Sequence, residues 1–282
     1  MNGKQLKGTF VALYTPFNAD GSVDLGAFRA LASRLVAHDI GLVPCGTTGE
    51  TPTLSIEEYE ALVRCAVEVA AGKVSVIAGT GSNSTRLTID ATRRARDLGV
   101  DAALVVTPYY NKPPQDALQA HFEMVADEGG LAIVLYNVPG RTGVNMEAET
   151  SLRLAKHPGI VALKEASGSL DQFHALLEGA PESFSVLSGD DAWTLPLLLL
   201  GGHGVVSVAG NVVPAAMAAM VQAAQSGRLE QARALHFRML PLFSALFATT
   251  NPIPVKQAAA LLGHAQPGLG RLYKVRLWIP RS

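Results

Sequence analysis

Cysteine is scarce. The 282-residue chain holds two, Cys45 and Cys65, with no CxxC and no Cys/His spacing typical of a metal site. A disulfide framework and a zinc site are thereby excluded, and both thiols are expected to be reduced core residues. Blocks of Lys or Arg are absent as well, and 23 basic against 24 acidic residues leave a formal net charge of −1. Without an electrostatic footprint for nucleic acid or an anionic membrane surface, the expected partner is a small molecule. Long apolar runs are also missing. Stretches such as TLPLLLLGG are too short to span a bilayer, and the opening MNGKQLKGTF has neither the basic start nor the apolar run of a secretory leader. The expected location is the cytoplasm.

What the chain does have is an apolar content of 48%, enough for a large core, distributed in a repeating pattern. Eight short, β-rich runs recur: GTFVALYTPF, GLVPCG, VSVIAGT, AALVVTP, AIVLYNVP, IVALKEAS, FSVLSG and GVVSVAG. Between them lie segments of helical period, such as SIEEYEALVRCAVEVAAGK and RLTIDATRRARDLG. Near-continuous apolar strands alternating with helices predict a parallel sheet covered by helices, and eight repeats predict a closed (β/α)8 barrel. An open doubly wound sheet is the competing fold, disfavoured because TPFNADGSVD stands where a GxGxxG turn would follow the first strand. From about residue 212 the pattern is purely helical: PAAMAAMVQAAQSG, then LEQARALHFRMLPLFSALFA, then PVKQAAALLG. The expected organisation is a barrel over 1–228 and a C-terminal helical region over 229–282. Its last stretch, HAQPGLGRLYKVRLWIPRS, carries no clear period.

In such a barrel the chemistry belongs at the C-terminal ends of the strands. The stretch VALKEASG (161–168) puts a lysine in what reads as a buried strand. A structural role, with a buried stem and a head that reaches water or pairs with Glu165, is the commoner fate of a strand-end lysine. The alternative is an amine nucleophile: desolvation favours the neutral amine, which attacks a carbonyl to form a Schiff base. Other strand ends supply Thr47 and Thr48 in GTTGE (46–50), Tyr110 in TPYYNKP (107–113), and Tyr136 and Arg141 in YNVPGRTG (136–143). Imine chemistry needs protons moved, which Tyr136, Thr48 and Tyr110 are placed to do; each hydroxyl taken alone is more simply a cap or loop hydrogen bond. Amides near Thr47 and Thr48 could hold a carboxylate, or the glycines could merely form a turn. Arg141 is a fork suited to a carboxylate or a plain surface charge.

Three further features point elsewhere. Asp190 and Asp191 lack a third acid for magnesium, so helix capping in SGDDAW is expected and no metal. GTGSNST lacks the lysine of a phosphate loop and reads as a turn with a Ser or Thr cap. No His is placed near Cys45, which leaves it a core thiol.

GTTGE, TPYYNKP, YNVPGRTG, VALKEASG and LSGDD, in this order and spacing, resemble the dihydrodipicolinate synthases (4-hydroxy-tetrahydrodipicolinate synthases) of the N-acetylneuraminate lyase superfamily, over residues 5 to 262. The resemblance implies a lyase of lysine and diaminopimelate biosynthesis that joins pyruvate to L-aspartate-4-semialdehyde. It implies a pyruvate imine on Lys164 with no cofactor, and a proton relay of Tyr136, Thr48 and Tyr110, the last reaching into a neighbouring subunit's site. Thr47 is implied to help bind the pyruvate-derived part, Arg141 the carboxylate of the aldehyde, and Gly189 and Val206 to offer contacts near the imine. It further implies a homotetramer, a dimer of dimers, or at least a homodimer.

Within the superfamily, sialic acid lyases usually carry Ser-Thr in place of Thr47-Thr48, and they and the keto-deoxy sugar acid aldolases lack the arginine matching Arg141. A pyruvate-dependent aldolase acting on a 2-oxo sugar acid is the alternative activity, and a non-catalytic oxo-acid-binding barrel is the alternative of another class. Two departures stand out. Where lysine-inhibited synthases use His and Glu side chains, the matching positions here are Thr51, Pro52, Ile56, Tyr59, Asn83, Leu87 and Tyr109. Weak or absent inhibition by lysine is therefore expected. The tail GRLYKVRLWIP also replaces the family's usual terminal segment.

Overall fold

The computed structural model describes residues 5–264; the atypical tail lies outside them. The eight apolar runs form the strands β1 Gly8–Ala12, β2 Gly41–Val43, β3 Ile77–Gly79, β4 Ala102–Val106, β5 Ala132–Asn137, β6 Ile160–Glu165, β7 Ser185–Ser188 and β8 Gly204–Ser207. Every pairing is parallel, in the order β2-β1-β8-β7-β6-β5-β4-β3. A parallel bridge between Leu42 and Val76 joins the two ends of this order, reinforced by Leu42 N donating to Ser75 O at 2.9 Å. The sheet closes on itself, so the structure is the expected (β/α)8 barrel and not an open sheet.

The strand period of two divides each apolar run between two cores. Phe10, Val43, Ile77, Leu104, Val134 and Leu187, with others of the same parity, form one cluster enclosed by the strands. The intervening residues, Val11, Leu42 and Ala78 on one side and Val105, Leu135 and Val186 on the other, pack under the helices. Being apolar on both faces is what made the runs look continuous.

Around the barrel run α1 Leu25–Val36, α2 Ile56–Ala70, α3 Thr85–Asp97, α4 Gln115–Gly129, α5 Pro139–Thr142, α6 Ala148–Leu154, α7 Leu170–Gly179, α8 Thr194–Leu199 and α9 Pro214–Gln225, followed by α10 Leu229–Ala245 and α11 Ile253–Leu261. Local chemistry sets their starts. Ser55 and Glu58 form a reciprocal capping box at α2, Asp24 caps α1, and Ser84 caps α3, which accounts for the GTGSNST turn. On α1 the spacing of Phe28, Leu31, Ala32 and Leu35 gives one buried stripe, worth roughly 1.5–3 kcal/mol for each large side chain. The boundary at 228/229 falls in the turn before α10, yet it separates no core: Met239, Phe243, Val255 and Ala259 join the cluster that holds Val11, Leu42 and α1.

Candidate active site

Lys164 lies two residues after Ala162 on β6 and opposite Tyr136 of β5, so the pleat points it into the barrel. It is 5% exposed, and Nζ sits 4.0 Å from the centroid of the Tyr136 ring, within cation–π range. Among the described residues no carboxylate pairs with it. The structural role weighed above, a pairing with Glu165, does not occur, because consecutive strand residues face opposite sides. Glu165 points outward, where its carboxylate accepts from Asn137 Nδ2 at 3.1 Å, Gln172 Nε2 at 2.8 Å and Ser167 N at 2.5 Å. Burial nevertheless raises its pKa.

Behind the Tyr136 ring that Lys164 faces, a cavity of about 320 Å³ opens at the strand ends, with Thr47, Glu50, Tyr109, Tyr136, Arg141 and Thr142 in its wall; Lys164, Thr48, Gly189 and Val206 lie outside that wall. Three expected residues therefore meet there: Thr47, Tyr136 and Arg141. Gly189 adjoins Lys164 directly; a Cβ on it would stand 3.1 Å from Lys164 Cε and 2.7 Å from Ala166 Cβ, so only glycine lets the β7 loop approach the amine this closely. Val206 is buried in the same inner cluster as Tyr136. Tyr110 stands apart, 85% exposed, with φ +73° and its N–H on Thr142 O at 3.2 Å; its neighbour Tyr109 is the tyrosine of this loop in the wall.

Thr48 and Thr47 are placed differently. Thr48 is buried, and its Oγ1 accepts from Asn251 Nδ2 at 2.9 Å, whereas the adjacent Thr47 faces the cavity. Both lie in a 3-10 turn over Thr47–Gly49, in which successive side chains diverge by about a third of a revolution. Of the pair, Thr47 is the one in the cavity wall.

Asp191 differs from the capping role expected of SGDDAW. Asp190 Oδ1 makes the local contact, accepting from Ala192 N at 2.8 Å. Asp191 is buried and straps the loop after β8, accepting from Ser207 Oγ at 2.5 Å, Ala209 N at 2.8 Å and Val208 N at 3.1 Å. Desolvation pushes its pKa up to about 6 from 3.8, against the hydrogen bonds that lower it. A folded-state value above the unfolded one means that this group's stabilisation is full below pH 3.8 and lost as pH rises through about 6. The stability of the native chain relative to Asp191→Asn should thus fall by roughly 3 kcal/mol across that window. Urea unfolding of both proteins at pH 4 and pH 7 measures it, and a constant difference would contradict the assignment.

Three residues of this site were not anticipated: Glu50, Asn251 and Lys256. Lys256 of α11 places Nζ 2.6 Å from Glu50 Oε1, and Asn251 O accepts from Arg141 Nη2 at 3.1 Å. Lys256 carried the same signal as Lys164, a single cation inside an apolar stretch, PVKQAAALLG. No group of three or more His, Cys, Asp and Glu suited to a metal ion occurs among the described residues, and no helix of the described residues is long and apolar enough to cross a membrane.

Fold and site together define a (β/α)8-barrel enzyme with an enclosed amine beside a cavity edged by hydroxyls and a guanidinium. The model of the dihydrodipicolinate synthetase family matches residues 5–272, and the chain belongs to that family. A 4-hydroxy-tetrahydrodipicolinate synthase of Thermomicrobium roseum is 54% identical over 259 residues, 92% of this chain and 85% of that protein. The crystal structure of the chloride-inhibited dihydrodipicolinate synthase of Acinetobacter baumannii complexed with pyruvate matches with a TM-score of 0.93 at 40% identity, covering 95% of this chain and 92% of that one. A monomeric dihydrodipicolinate synthase variant matches with the same TM-score at 41% identity, covering 95% and 90%.

Proposed function

We propose that this chain joins pyruvate to L-aspartate-4-semialdehyde, giving 4-hydroxy-tetrahydrodipicolinate and water, as a step of lysine and diaminopimelate biosynthesis. The observation that carries the chemistry is Lys164, enclosed, free of a carboxylate partner and set against Tyr136. Its Nζ attacks C2 of pyruvate, and the carbonyl oxygen leaves as water when the imine forms. Loss of a proton from the methyl carbon gives an enamine, the imine serving as electron sink, so no further cofactor is required. The enamine carbon attacks the aldehyde carbon, whose oxygen takes up a proton. The substrate's own amine then displaces Lys164 at C2 and closes the ring.

Tyr136 and Thr47, both in the cavity wall, are the hydroxyls this reading assigns to moving these protons, with Thr47 also assigned to the pyruvate-derived part. Arg141, at the rim, suits the aldehyde's carboxylate. Gly189, packed against Lys164 Cε, and Val206, buried in the inner cluster with Tyr136, are the residues proposed to offer contacts near the imine. In this reading Tyr110, exposed on a left-handed backbone, serves a neighbouring subunit's site, a role that requires at least a homodimer. Lower turnover is expected from Tyr110→Phe, by roughly tenfold to a hundredfold, with imine formation retained. Steady-state rates and trapped adduct measure the two separately, and an unchanged rate removes Tyr110 from the relay. Leu87, half-exposed, offers no partner to an ammonium, so inhibition by sub-millimolar lysine should be absent from initial-rate assays.

Borohydride reduction with pyruvate, followed by peptide mass spectrometry, tests the central step. A pyruvate-derived adduct on Lys164 is expected, and turnover of the semialdehyde over a 2-oxo sugar acid should follow. A folded protein that yields no adduct would overturn the imine mechanism.

A further inference from the structure

The helical appendage touches the site at points that the reaction steps above leave unused. Lys256 of α11 and Glu50 form an ion pair at 2.6 Å with side chains only 4% and 0% exposed, and Lys256 Nζ lies 4.4 Å from the centroid of the Phe17 ring. Charges this fully desolvated are costly, and an apolar pair of the same volume would hold two elements together at least as well. What an ion pair adds is a fixed direction and separation.

Glu50 closes the GTTGE turn. Its φ of +55° is left-handed, and its N–H donates to Thr47 O at 3.1 Å. Displacing the Glu50 side chain therefore shifts the peptide that carries Thr47. A second tether acts on the same turn, since Asn251, between α10 and α11, donates to Thr48 Oγ1 at 2.9 Å. That hydrogen bond holds Thr48 in the protein while Thr47 faces the cavity. Arg141, on the aldehyde side, is held by Asn251 O and not by the ion pair.

We propose that Lys256, acting through Glu50, is a positioning residue for the pyruvate half of the site, fixing the turn that presents Thr47. This rests on the assignment of Thr47 to the pyruvate side. The double variant Lys256→Met/Glu50→Gln removes both charges without leaving either one buried and alone. Its KM for pyruvate should rise by about tenfold or more while its KM for the semialdehyde stays within about threefold. A merely structural pair would reduce the active fraction, lowering apparent kcat and leaving both KM values unchanged; that result overturns the proposal, as do wild-type values for all three constants. Should the double variant not fold, Glu50→Asp, which keeps both charges but moves the carboxylate by one methylene, is read the same way, with a rise in pyruvate KM of about threefold or more expected. Reductive trapping in the unsubstituted enzyme reads the imine chemistry independently. No adduct there overturns that chemistry and this inference with it, whereas an adduct with an unchanged pyruvate KM in the variant overturns the inference alone.

Discussion

Lys164→Ala should abolish the borohydride-trapped pyruvate adduct and lower kcat/KM by roughly a thousandfold or more. The size of the effect follows from the lack of a substitute. In the proposed route every step after substrate capture runs through the imine nitrogen, so removing it removes the electron sink along with the nucleophile. The cation of α11, Lys256, is engaged by Glu50 and so is held away from the reacting carbon. Alanine fits the site sterically, since the neighbours of Lys164 are a tyrosine ring and a glycine, and the variant should remain folded by circular dichroism. An adduct of undiminished yield on another lysine would refute the assignment.

The second large effect is on stability. Lys256→Met alone leaves Glu50 charged, buried and unpaired, with an expected loss of roughly 3–5 kcal/mol. At about 2–4 °C per kcal/mol for a domain of this size, the melting temperature should fall by roughly 6–20 °C. Adding Glu50→Gln should recover most of it, because an amide tolerates burial better than an unpaired carboxylate. Thermal melts of the two proteins decide the matter: a single variant that melts within about 2 °C of the native chain would mean that Glu50 is not left there as an uncompensated buried charge, and would refute this prediction.

The contrast between the two lysines explains what could be read from residues alone. Both interrupt apolar stretches, one in VALKEASG and one in PVKQAAALLG. Strand periodicity makes the direction of Lys164 legible, because Ala162 and Lys164 share a face and that face is the barrel interior. Nothing local announces the partner of Lys256, which stands 206 residues away. The threonines show the same limit at closer range. A Thr-Thr pair in a glycine-bounded turn marks a site, but which hydroxyl enters the cavity depends on Asn251, which arrives from the far end of the chain. Asp191 is a third case: SGDD reads as a cap, yet its carboxylate is taken by Ser207 and two amides across the neighbouring strand's loop.

By itself the sequence determined the eight-stranded barrel, its helices, the helical appendage and the inward lysine on β6. Those features follow from periods of two and 3.6 residues and from glycine and cap residues, all short-range signals carried by consecutive positions. Tertiary structure alone decided that Glu165 turns away from Lys164 into its own hydrogen bonds, that Thr47 and not Thr48 faces the cavity, and that the appendage ties the GTTGE turn through Glu50 and Asn251. The physical reason is that a buried polar group must find its partner wherever the fold brings one within about 3 Å, and closure of the barrel, not sequence distance, sets which groups come that close.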